Sequence, residues 1–276
     1  MIDLHCHSTA SDGVLPPARI VETAATLGLA AMALTDHDTT AGLAEASAAG
    51  VRLGVEVIGG CEFSVGVEWG EMHLLAYFIE PGDPEIEGFL TWARDDRSRR
   101  AREMVSRLTG LGLPLSYDDV LRESGGGAVG RPHVARALFR RGHVQTIQQA
   151  FDRYIGRGRP AFVEKVLPSL ADVARLVHAQ GGVVSAAHLK SYGTLPNLTR
   201  LRHLGLDAVE TRHPSHSGDI VANITDAALA LGLARTGGSD WHGETEAEGA
   251  HAQLGSQGVP DEWLDELRLR RPMPKA

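Results

Sequence analysis

Residues 1–38, MIDLHCHSTASDGVLPPARIVETAATLGLAAMALTDHD, decide the fold. Ile2 to His7 reads as a strand, and a strand throws alternate side chains to opposite faces, so His5 and His7 share one side and Cys6 takes the other. From about Pro16 to Leu27 the apolar spacing becomes helical, and Ala31 to Thr35 is a second short strand-like run. Strand, helix and strand in succession form the unit of a parallel α/β sheet or barrel. The second run breaks directly into Thr35-Asp36-His37-Asp38. Its polar groups therefore fall at the carboxyl end of a strand, where α/β barrels and open sheets carry their chemistry.

The pattern continues outward. A helix is expected from about Thr40 to Ala49, then strand-like runs at Arg52 to Ile58, Cys61 to Val65 and Met72 to Phe78. After about residue 166 it resumes, with helices at Ser169 to Gln180, Leu195 to Leu204 and Gly218 to Leu231. Strands at Val183 to Ala187, Asp207 to Thr211 and Ala234 to Gly237 alternate with them, and a last helix begins near Asp261. Residues 85–165 show no strand-like alternation. They read as helices at Glu85 to Leu111, Tyr117 to Glu123, Pro132 to Arg141 and Thr146 to Tyr154, with Gly125-Gly126-Gly127 as a flexible joint. The expected organisation is an α/β barrel in two parts, 1–84 and 166–276, separated by an all-helical insertion, 85–165.

A chain of 276 residues, 43% hydrophobic, can bury roughly three-quarters of its unfolded surface without covalent staples. Its longest apolar runs, such as Leu29 to Leu34 and Leu74 to Ile79, fall far short of the ~20 residues that span a bilayer. The amino-terminal residues carry an acid and no apolar stretch where a signal peptide would have a basic start, so a cytoplasmic protein is expected. Cys6 and Cys61 cannot frame a disulfide scaffold and read as small buried hydrophobes. The net charge of −8 argues against strong nonspecific duplex binding. That average conceals a division: Arg94 to Lys165 holds 15 basic and 8 acidic residues, net +7, whereas the remainder holds 12 and 27, net −15. Apart from Lys165, Lys190 and Lys275, every basic residue is Arg. Thirteen His beside many carboxylates raise a metal hypothesis.

The His and carboxylate residues recur where strands end. His5 and His7 are followed by Asp12 in the turn Ser11-Asp12-Gly13. His37 and Asp38 follow the second strand. Glu62 in Gly60-Cys61-Glu62 and His73 in Met72-His73-Leu74 each sit within an apolar stretch, where an unpaired charge would be costly. His188 ends the next strand, Glu210 the one after, with His213 and His216 just beyond. Asp240 and His242 close the series in Ser239-Asp240-Trp241-His242. Mixed imidazole and carboxylate donors suit Mn, Fe or Zn better than Ca or Mg alone.

On these residues, in this order, the sequence resembles the PHP (polymerase and histidinol phosphatase) family. The resemblance implies a distorted (β/α)7 barrel with a metal cluster at the carboxyl ends of its strands. It implies three metal sites: His5, His7, Glu62 and Asp240; a bridging Glu62 with His73 and His188; and Asp12, His37 and His242. Two or three divalent cations are expected, manganese favoured, with Fe, Zn and Mg as alternatives. Where the family usually has His-Pro, this chain has His188-Leu189. The helical insertion resembles that of stand-alone members acting on nucleotide phosphates, among them 3′,5′-nucleotide bisphosphate phosphatases and exonuclease-like members that trim RNA from its 5′ end.

The expected reaction is hydrolysis of a nucleotide phosphomonoester by a metal-bridging hydroxide attacking phosphorus in line. Its substrate would be a small phosphorylated nucleotide, extending to short oligonucleotides, with neither a membrane nor an obligatory protein partner. His216 is the candidate for protonating the leaving oxygen, and Asp38 and Glu210 read as groups that orient ligands. Arg131 and His133, at a helix start primed by Pro132, are expected to hold a second phosphate. The run Arg94, Arg97, Arg99, Arg100 and Arg102 reads as a solvated helix face, and Gly156-Arg157-Gly158-Arg159-Pro160 as either a linker or a phosphate-contacting hairpin. A cyclic-phosphate phosphodiesterase and a histidinol-phosphate phosphatase share most of these features. An amidohydrolase would often need a bridging Lys, yet the first Lys is Lys165. A non-catalytic, metal-stabilised nucleic-acid-binding module is the rival from another class.

Overall fold

The computed structural model describes residues 1–243 and 252–272. β1 (Ile2–Cys6), α1 (Pro17–Thr26), β2 (Ala31–Leu34), α2 (Leu43–Leu53), β3 (Glu56–Val67) and β4 (Gly70–Tyr77) come first. α3 (Pro84–Gly110), α4 (Tyr117–Ser124), α5 (Arg131–Arg140), α6 (Ile147–Ala150) and a π-helical turn (Phe151–Ile155) follow with no strand among them. The chain then runs through α7 (Leu170–Ala179), β5 (Val183–Ala186), a 3-10 turn (Lys190–Tyr192), α8 (Leu195–His203), β6 (Ala208–Arg212), α9 (Gly218–Leu231), β7 (Ala234–Gly237) and α10 (Glu262–Arg268).

The seven strands of the described residues form one sheet in sequence order, and it curls into a nearly closed α/β barrel. β1 and β7 meet at a short seam, where the Asp240 amide donates to the His5 carbonyl at 2.8 Å and the His7 amide to the Trp241 carbonyl at 2.9 Å. Only glycine fits at 238, because a Cβ there would lie 2.4 Å from the His5 nitrogen.

Two features depart from a simple alternation of strand and helix. The runs expected at 52–58 and 61–65 belong to the single long strand β3, with Arg52 still in α2. β4 runs antiparallel to both its neighbours. Only Glu68 and Trp69 separate β3 from β4, and a parallel crossover needs a dozen or more residues, so a hairpin is the one connection available. This reversal brings His73, near the amino end of β4, to the same mouth as the carboxyl ends of the parallel strands.

Ile2, Leu4, Ala33, Leu75 and Tyr77 pack inside the barrel, and the Tyr77 hydroxyl donates to the Leu4 carbonyl at 2.9 Å. The helices between β4 and β5 have an apolar cluster of their own, around Met104, Leu108, Val120, Val134 and Leu138. α3 begins at Asp83, whose carboxylate accepts from the Glu85 and Ile86 amides, with Pro84 preset for the first turn. α3 and α5 hold the barrel mouth through side-chain hydrogen bonds to its loops. Arg94 donates to the Asp38 carbonyl at 3.2 Å and Arg136 to the Asp12 carbonyl at 3.1 Å.

Candidate metal centre

Glu62, 1% exposed, is the hub of the mouth. Its Oε2 lies 3.3 Å from His5 Nε2, 3.2 Å from His7 Nε2 and 3.2 Å from His37 Nδ1. Its Oε1 lies 2.6 Å from His73 Nδ1 and 3.2 Å from His188 Nε2. Burial opposes ionisation of this carboxyl, but His37, His73 and His5 hold it well below the usual carboxylate range. Asp240 Oδ1 lies 3.3 Å from His5 Nε2 and 3.2 Å from His7 Nε2, completing a four-donor group with Glu62. A second group joins His7, Asp12, His37 and His242, with His242 Nε2 3.4 Å from Asp12 Oδ1. A third joins His37, Glu62 and His73.

These donors fit cations better than they fit one another. Both His7 ring nitrogens and His37 Nδ1 are buried and have no hydrogen-bond partner among the described residues, although carboxylate oxygens stand close by. Without a cation, the crowding must be met by protons. Burial disfavours a charged His7, yet Asp240 and Glu62 push its imidazole up to about 10. His73 is likewise pushed up to about 9 by Glu62 against the opposing effect of burial.

Supporting residues aim the donors. Glu210 Oε1 accepts from His5 Nδ1 at 3.0 Å and its Oε2 from the His188 amide at 2.7 Å. Asp38, His188 and Asp240 all have positive φ, a costly conformation for residues other than glycine, and it persists where surroundings fix it. Among the described residues Asp38 belongs to no donor group; its Oδ2 accepts from Arg97 Nε at 2.5 Å. Several organisers carry no local signal in the sequence, because most of their bonds reach residues distant along the chain. Asp36 accepts from the Ser8 amide, the Ser8 hydroxyl and the Ser11 hydroxyl, folding the turn that delivers Asp12. Asp3 accepts from the amides of His5, Ser239 and Gly255, binding the seam. His213 forms a further group with His5 and Glu210.

A cleft of about 610 Å³ opens beside His73 and His188, with Arg131, Arg157 and Lys165 in its wall. Lys165 Nζ donates to Ser64 Oγ at 2.6 Å and to Glu71. Arg157, from the segment that read as linker or hairpin, reaches Gly70 at the β3–β4 turn. His133 is buried, and its Nδ1 accepts from the Gly130 amide at 2.9 Å. Burial, with Arg136 beside it, pushes its imidazole down to about 4, so the ring is neutral and its proton is on Nε2. His216 has both nitrogens engaged by backbone: Nδ1 donates to the Thr211 carbonyl at 2.9 Å and Nε2 accepts from the Lys190 amide at 3.2 Å. That arrangement leaves no proton for a leaving group. The solvated face expected on α3 needs correction, since Arg97 is 8% and Arg100 5% exposed. Arg100 donates from Nε and Nη2 to the Val163 carbonyl. Among the described residues no helix is long and apolar enough to cross a membrane.

Comparison with known proteins agrees with this geometry. Residues 3–85 match the model of the PHP domain. A 5′-3′ exoribonuclease of Haemophilus influenzae is 34% identical over 245 residues, 87% of this chain and 89% of that protein. A 3′,5′-nucleoside bisphosphate phosphatase of Chromobacterium violaceum is 34% identical over 255 residues, 89% of this chain and 88% of that protein. A crystal structure from Bifidobacterium adolescentis, described as a metal-dependent phosphoesterase, superposes with a TM-score of 0.88 at 32% identity and covers 99% of this chain and 97% of that one.

Proposed function

Because this chain belongs to the PHP family of metal-dependent phosphoesterases, we propose that it hydrolyses a phosphomonoester of a nucleotide, such as the 3′-phosphate of a nucleoside 3′,5′-bisphosphate. The observation that carries the reading is the cleft, where Arg131, Arg157 and Lys165 face the same space as His73 and His188. Cations held by the His and carboxylate residues, together with guanidinium and ammonium groups in the same cleft, would suit a substrate bearing two phosphates.

His5, His7, Glu62 and Asp240 would hold one cation, Glu62 with His73 and His188 a second, and Asp12, His37 and His242 a third. Manganese suits this donor set. Such cations, when bound, lower the pKa of water and neutralise charge on phosphoryl oxygens. Glu210 keeps the His5 ring and the His188 backbone aimed inward. Asp38, paired with Arg97, fixes the loop after β2 against α3. Arg131 and the Nε2–H of His133 bind the second phosphate, and segment 85–165 covers the site as a substrate lid. His216 supports the Lys190 turn rather than donating a proton. Short 5′-phosphorylated oligoribonucleotides are a second substrate class, favoured by the exoribonuclease relative.

The test is phosphate release from adenosine 3′,5′-bisphosphate with added Mn²⁺. Release is expected from the wild-type protein and not from Asp240→Asn or His5→Ala. No release by protein shown to hold metal would refute the reading, and activity retained in both variants would refute the ligand assignment.

A further inference from the structure

We propose that Trp69 and Tyr192 form a stacking platform for the nucleobase of the substrate, an inference that rests on the nucleotide reading above. The two rings lie 5.4 Å apart with an interplanar angle of 8°, already stacked, and both line the cleft that holds His73 and His188. The same wall carries three cationic side chains, Arg131, Arg157 and Lys165, beside the carboxylates of Glu71 and Glu164. An apolar, flat surface within it has no use for a bare sugar phosphate, but it matches an ester that carries an aromatic ring. Every base offers a π-face, so such a platform accepts bases with little regard to identity.

The backbone on both sides holds the rings in place. Trp69 sits in the two-residue link between β3 and β4, beside Gly70, whose φ of +118° permits the sharp turn. Tyr192 ends the 3-10 turn that begins at Lys190, which has a φ of +52°. His216 Nε2 accepts from the Lys190 amide, and Asn197 Nδ2 donates to the Tyr192 carbonyl at 3.0 Å. A turn held by His216 at its strained first residue and by Asn197 at its last thus presents a Tyr that stays 49% exposed, leaving the stack free to lengthen by one ring. Arg157 lies over Gly70, next to Trp69, where it can meet the phosphate joined to a stacked nucleoside. Alternating aromatic faces and cations are how proteins follow single-stranded nucleic acid, so the same platform would serve the terminal nucleotide of an oligoribonucleotide.

Calorimetric titration of the Mn²⁺-loaded protein with adenosine 5′-monophosphate and with ribose 5-phosphate isolates the contribution of the base. The wild-type protein should bind the nucleotide about tenfold more tightly than the sugar phosphate. Tyr192→Ala should remove most of that preference while leaving ribose 5-phosphate affinity unchanged, and Tyr192→Phe should keep it. Equal binding of the two ligands by the wild-type protein, or a preference undiminished in Tyr192→Ala, overturns the platform. Turnover is read separately: a binding preference without phosphate release would count against the phosphoesterase substrate and still support the base site.

Discussion

Lys165 shows how one side chain ties the cleft to pH. It is the single Lys of the helical stretch, reaching back to Ser64 on β3 and Glu71 on β4. Burial pushes its ammonium down to about 8, with Arg97 nearby acting in the same direction and Glu71 against it. The charged form is therefore present at neutral pH and is lost as pH rises through about 8. A phosphomonoester is already doubly ionised there, so the lost charge lies on the protein side. KM for adenosine 3′,5′-bisphosphate should climb above that pH, approaching tenfold per pH unit for the loss of one proton. Lys165→Arg should move the rise to higher pH, because a guanidinium stays protonated. A KM profile that stays level into the alkaline range, or one unchanged in Lys165→Arg, would remove Lys165 from substrate binding.

At the scale of elements, α3 separates what the sequence displays from what it hides. Its boundaries were legible: Asp83-Pro84 starts a helix chemically, and apolar residues at helical spacing carry it to Gly110. Which of its Arg residues are buried was not, because their partners lie outside the helix. Arg97 Nε donates to Asp38, 59 residues away in sequence, and Arg100 to Val163, 63 residues away. Arg99, one turn apart from neither, instead pairs with Asp96 and Glu103 on the exposed side. Breaking a buried pair strands its partner, so Arg97→Ala should destabilise the protein by ~3–5 kcal/mol. Arg99→Ala, whose side chain is 50% exposed, should stay within about 0.5 kcal/mol. Denaturant unfolding of both variants decides the matter, and equal losses would refute the distinction. The strands divide the same way. Short apolar runs ending in acid or His revealed the parallel strands and their functional ends, since both signals are local. The direction of β4 was fixed by the two-residue link Glu68-Trp69, a signal in loop length that apolar periodicity does not contain.

Across the whole molecule the donors converge from all strands but β6 or from the loops after them: His5 and His7 from the end of β1, His37 after β2, Glu62 on β3, His73 on β4, His188 after β5, and Asp240 and His242 after β7. One stretch of the barrel wall needs them most. The β1–β7 seam has a few backbone hydrogen bonds, supplemented by Asp3, where β3 and β4 pair without a break from Gly60–Tyr77 to Val67–Gly70. A cation held by His5, His7 and Asp240 would span that seam, so metal binding and barrel closure should be one equilibrium. A ligand present at a hundredfold excess over its Kd stabilises by ~2.7 kcal/mol, which for a chain of this size raises Tm by roughly 5 °C or more. Saturating Mn²⁺ should produce such a shift in the wild-type protein, and a chelator should reverse it. Asp240→Asn and His5→Ala should lose most of it. The shift should also shrink as pH falls, because protons compete with the cation for His7 and His73, which the surrounding carboxylates already favour in the protonated form. Thermal unfolding with and without Mn²⁺, repeated at neutral and mildly acidic pH, provides the check. A full shift in both variants would show that the cation stabilises the fold from somewhere other than the barrel mouth.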